Sequence, residues 1–141
     1  MSITHQPINA DLIRAIAEKT SRALARLAHE GKTTSDCPPL VFPLQRESER
    51  RRVSEQEARF VFASILDRER IHFAVETPTW EEYRFTNPES GQAAQIDLSL
   101  FDQKLKRMAN IEFKAGPASL EAIRKDVEKL IRESLYTENR E

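Results

Sequence analysis

The sequence predicts an α+β fold with the order helix, helix, strand, strand, strand, helix. Three observations predict it. Apolar residues recur at intervals of three and four over residues 9–30, 54–68 and 119–135. They alternate with polar residues over 71–76, 93–101 and 108–115. Prolines, glycines and short polar runs separate these stretches. The expected sheet is mixed or mostly antiparallel.

In the first helix, Leu12, Ile13, Ile16, Ala17, Leu24, Leu27 and Ala28 form the expected buried stripe, and Gly31 is the expected stop. Its face either covers the rest of the domain or forms a dimer contact. A connector follows to Arg52. Its prolines, Pro38, Pro39 and Pro43, hold an extended chain in which Leu40, Val41 and Phe42 clip to the core. Arg46, Arg50, Arg51 and Arg52 make a basic cluster, either a solvated face or a phosphate contact.

Ser54 opens the second helix. It stands at the N-cap with Glu57 at the third helical position, the pattern of a capping box. Ala58, Val61, Phe62, Ile65 and Leu66 are the stripe to be buried. The first strand, 71–76, ends at Thr77-Pro78. A long excursion carries Trp80, Tyr83 and Phe85, either a small apolar cluster or a base-stacking surface. The second strand spans 93–101, a polar loop 102–107 follows, and the third strand spans 108–115. Ser119 caps the last helix, whose expected inner stripe is Leu120, Ile123, Val127, Leu130 and Ile131. Lys125, Asp126 and Lys129 are expected on its solvated face or against a nucleic-acid backbone.

Composition narrows the function classes. A chain of 141 residues is long enough to build a core. The net charge of -1 leaves no global footprint of a nucleic-acid binder, although a local basic patch remains compatible with it. The one cysteine, Cys37, permits no internal disulfide, and with three scattered histidines zinc is not expected. No apolar run approaches the roughly 18–20 residues of a membrane span, and the N-terminus lacks the apolar core of a secretion signal. The expected setting is cytoplasmic.

The third strand carries the chemistry. Alternation places Ile111, Phe113 and Ala115 on one face and Asn110, Glu112 and Lys114 on the other. The preceding strand puts Ile96, Leu98 and Leu100 on one face and Asp97 and Ser99 on the other. Charges within apolar strands reduce stability unless they are paired or bind something. The chain holds acid-x-Lys three times, but Glu30-Gly31-Lys32 and Asp102-Gln103-Lys104 lie at a helix end and in a loop. Only Glu112-Phe113-Lys114 interrupts a strand beside a second acid. Either Glu112 and Lys114 pair with each other or face solvent, or Asp97 and Glu112 hold a divalent ion with Lys114 alongside.

This layout resembles the PD-(D/E)XK nuclease superfamily, with its restriction-endonuclease-like α/β/α core. The resemblance covers about residues 53–135 and is nearest to the N-terminal nuclease domain of type I restriction enzyme R subunits. It rests on Ile96-Asp97, on Glu112-Phe113-Lys114, on the helix opening Ser54-Glu55-Gln56-Glu57-Ala58-Arg59, and on Glu76 at the end of the first strand. Ile96 stands where the pattern has proline, and the last helix lacks a Gln-x-x-x-Tyr pattern. The resemblance implies Asp97 and Glu112 as metal ligands, Lys114 as the catalytic lysine and one helix acid in support. Glu57 is engaged in the capping box, so Glu55 is favoured for that role, with Glu76 acting through a water as the other option. Mg2+ or Mn2+ is the implied cofactor and DNA the implied substrate, in restriction, defence or DNA repair. The other implied function is a catalytically inactive nuclease fold that binds DNA or a protein. The division implied is 1–52 as helix and connector and 53–141 as the nuclease-like domain. The fold usually has a fourth core strand, absent after the last helix here. The chain is then a fragment of a longer polypeptide, or the strand comes from elsewhere, such as Leu40–Phe42 or a homo-oligomeric partner.

Overall fold

The computed structural model describes residues 7–33, 39–42, 52–83 and 92–138, with the side chains of 81–83, 92–93 and 137–138 left aside. Arg46, Arg50, Arg51, Cys37 and Phe85 lie outside the described residues. Six elements follow in order: α1 (Ala10–Glu30), α2 (Glu55–Arg68), β1 (His72–Tyr83), β2 (Gln92–Phe101), β3 (Arg107–Ile111) and α3 (Leu120–Glu138). The chain divides into two compact units, Met1–His72 and Phe73–Glu141. α2 therefore groups with α1.

In the first unit each helix end is closed by the residue its sequence supplies. Asn9 Oδ1 accepts from the Leu12 N–H at 2.9 Å, and Gly31 adopts φ 74° while its N–H donates to the Leu27 carbonyl. The capping box at Ser54 and Glu57 is formed, with the Ser54 N–H donating to Glu57 Oε2 at 2.8 Å. Ala58, Val61, Phe62, Ile65 and Leu66 are all buried, as the periodicity predicts. The buried line of α1 runs through Ile16, Thr20, Ala23 and Leu27, while Ala17 is exposed. Thr20 tolerates burial because its hydroxyl donates to the Ile16 carbonyl at 2.9 Å. The connector folds back on itself: Lys32 and Val41 form an antiparallel bridge, and the Phe42 N–H donates to the Gly31 carbonyl at 2.8 Å.

The second unit holds a three-stranded antiparallel sheet in the order β1-β2-β3, the mostly antiparallel alternative of the two expected and not the mixed one. β1 does not stop at Thr77-Pro78 but runs to Tyr83. β1 is an edge strand, the place in a sheet where a proline is tolerated. Glu76 sits within it at φ 51°, a left-handed kink that the flanking extended chain absorbs. Between β2 and β3, Asp102 closes the loop by accepting from the N–H groups of Lys104 and Lys106 at 2.8 and 2.9 Å. Leu98 pairs with Ile111, Ser99 with Asn110 and Leu100 with Ala109, and the register shifts between Leu100 and Phe101. Ile96, Leu98 and Leu100 are fully buried.

Two expectations about this unit are overturned. The third strand ends at Ile111, so Glu112, Phe113 and Lys114 lie just beyond the ladder. The last helix is capped by Ser119, whose hydroxyl accepts from the Ala122 N–H, but it turns the other way round. Leu120 is 82% exposed and Ile131 56%, and Ile123 and Val127 are exposed as well; only Leu130 of the expected stripe is half-buried. The inner line is instead Ala122, Asp126, Lys129 and Glu133, with Lys129 8% exposed and Glu133 0%. Polar groups are buried because each meets an opposite charge or a backbone donor, as the site geometry below shows.

Candidate metal centre

The candidate site forms where β2 and β3 part. Their register, continued by one residue, sets Asp97 opposite Glu112. There the backbone ladder gives way: Asp97 Oδ2 accepts from the Phe113 N–H at 2.9 Å. A carboxylate thus replaces a strand carbonyl, which ends β3 and pins Asp97 beside Glu112. The face assignment survives past the strand end. Phe113 is buried on one side, while Ser99, whose hydroxyl donates to Asn110 Oδ1 at 2.8 Å, shares the opposite face with Asp97 and Glu112.

The inner face of α3 supplies the counter-charges. Lys129 Nζ lies 2.5 Å from Glu112 Oε1 and donates to the Gln95 carbonyl at 3.0 Å. Lys114 Nζ lies 2.8 Å from Asp126 Oδ2. Glu112 and Lys114 therefore neither pair with each other nor face solvent together; each meets a partner from the helix. The Glu112 carboxyl is only 8% exposed, and its oxygen beside Lys129 is sealed from water. Burial raises its pKa, Lys129 opposes that, and the negative charges of Asp97 and Asp126 add to it. Lys125 remains outside, paired with Glu121 on an exposed turn.

Of the four predicted site residues, Asp97, Glu112 and Lys114 gather within the second unit. Glu55 is half-buried at the start of α2 in the first unit, and Glu76 is exposed at the kink of β1. Sequence reasoning missed Asp126 and Lys129 as members of the cluster. Their spacing of three on one helix face was available, but not the direction in which that face points.

A second charged cluster follows along the same helix. Glu133 accepts from the Trp80 N–H at 2.9 Å and stands 3.7 Å from the Arg107 guanidinium, which lies over the Trp80 ring at 5.2 Å. Arg107 also donates to the Pro78 carbonyl at 3.4 Å. Burial lowers the Arg107 pKa and Glu133 counters it. Trp80 is thus engaged with an arginine on its ring face. A cavity of about 410 Å3 opens between β3 and α3, lined by Arg107–Asn110, Leu130, Ile131 and Ser134, and none of the carboxylates lines it.

Among the described residues, no set of three or more His, Cys, Asp or Glu is arranged to hold a metal ion. The donors present are two adjacent carboxylates and the neighbouring backbone carbonyls, the oxygen set that Mg2+ accepts when water and phosphate complete its shell. Among the described residues no helix is long and apolar enough to cross a membrane. Comparison with models of known protein families, with characterised proteins and with solved structures found no match.

Proposed function

We propose that the second unit is the metal-dependent centre of a DNA-cleaving hydrolase of the PD-(D/E)XK type. The observation that carries this reading is the proximity of Asp97 and Glu112 where β2 and β3 part, Asp97 accepting from the Phe113 N–H and its charge acting on Glu112, with Lys114 two residues on. Asp97 and Glu112 would hold Mg2+ or Mn2+, which when bound polarises a phosphoryl oxygen and acidifies a water. Asp97 is already oriented by the Phe113 N–H, so it needs little reorganisation to act as a ligand. Lys114, 37% exposed at its side chain, is accessible to a phosphate and can stabilise the charge that develops there or orient the attacking water. Asp126 holds its ammonium in place until then.

The second reading is a nuclease-type fold without activity, binding DNA or a protein. It is favoured by one observation: Glu112 is already neutralised by Lys129. Incubation of the full chain with plasmid and linear DNA in Mg2+ or Mn2+ separates the two. Cleavage that disappears in Asp97→Ala, Glu112→Ala and Lys114→Ala supports the hydrolase. Binding without cleavage, unchanged by those substitutions, supports the inactive module.

A further inference from the structure

We propose that Lys129 is a placeholder for the divalent ion: its ammonium occupies the Glu112 oxygen that the metal takes, and the ion enters by displacing it. The inference rests on the metal-site reading above and deepens it.

A lysine buried to this degree needs its charge met by an acceptor. Lys129 meets Glu112 Oε1 and the Gln95 carbonyl, and Glu112 in turn feels the charge of Asp97. One carboxylate and one backbone carbonyl are also what a small oxygen-seeking cation binds. The oxygen is moreover sealed from water and lies against Nζ, so an ion that takes it must displace the ammonium. The flexible four-carbon stem of lysine permits that movement without shifting the helix.

Calorimetric titration of the full chain with Mn2+ at fixed pH tests this. Lys129→Met should bind Mn2+ about tenfold or more tightly than wild type, because the competing cation is gone. Lys125→Met, whose ammonium pairs with Glu121 on the exposed side of the helix, should stay within about threefold of wild type. Lys129→Gln, which keeps a donor for the Gln95 carbonyl, carries the same expectation as Lys129→Met and serves if the methionine variant does not fold. Measurable binding by wild type with equal or weaker binding by the folded Lys129 variants overturns the placeholder role and leaves the metal site standing. Absence of Mn2+ binding in wild type and in the Lys129 variants alike overturns the metal site, and the placeholder with it.

Discussion

Glu112 carries its carboxyl at a side chain 8% exposed, and burial raises its pKa. An acid whose folded pKa is raised contributes stability that is fully present below its ordinary value of 4.5 and is lost as pH rises through the folded pKa. Glu112→Gln removes that loss. The melting temperature of the variant should therefore gain on wild type between about pH 4.5 and pH 7, as thermal unfolding over that range would read. A gap that shrinks with rising pH would contradict it. Glu133 belongs to the same scale. It is fully buried, satisfies the Trp80 N–H and balances Arg107, so Glu133→Ala leaves a guanidinium without its counter-charge. The expected cost is about 3–5 kcal/mol in denaturant unfolding; a loss below about 1 kcal/mol would mean that water reaches the arginine.

At the scale of elements, α2 shows what local sequence controls. Its capping box is closed by Ser54 and Glu57, and burial alone would raise the Glu57 pKa. Hydrogen bonds from the Ser54 hydroxyl and from the Glu57 and Ser54 N–H groups outweigh burial and hold that pKa below the ordinary range. Ser54→Ala should cost about 1 kcal/mol near neutral pH. A depressed acid stabilises above its unfolded pKa, and that contribution is lost as pH falls through the folded one. The Ser54→Ala deficit should accordingly narrow in acid, as urea unfolding at neutral and low pH would show. The helix α3 shows the reverse. Its apolar periodicity marks an amphipathic helix, yet the stripe at Leu120, Ile123, Val127 and Ile131 faces out and the charged line faces the sheet. Helical spacing reports that two faces differ; the neighbouring strands decide which one turns inward. Here β2 and β3 present Asp97 and Glu112, and an apolar face against them would leave charges unmet.

At the scale of the whole molecule, an ion bound at the candidate centre would add to the stability of the chain. A ligand that binds only the folded state stabilises it, by about 2.7 kcal/mol at a hundredfold excess over its Kd. Saturating Mn2+ should raise the melting temperature of the wild-type chain, and Asp97→Ala should abolish the rise. Equal shifts in both proteins would place the bound ion elsewhere. The division into two units, Met1–His72 and Phe73–Glu141, puts Glu55 in one and the three other predicted site residues in the other. The site is therefore read from Asp97, Glu112 and Lys114 together with α3.

The sequence by itself determined the order of the elements among the described residues, the caps at Gly31, Ser54 and Ser119, and the polar strand faces on which Ser99 and Asn110 meet. These rest on interactions between residues a few positions apart, or on the strict alternation of a strand, both of which can be read along the chain. Only the tertiary structure decided that β3 stops at Ile111, because the hydrogen bond that ends it comes from Asp97 on another strand. It also decided that Lys129 and Asp126 face inward and that Glu133 meets Trp80 and Arg107. Those partners are far apart in sequence, and a buried charge takes its orientation from whichever opposite charge folding brings to it.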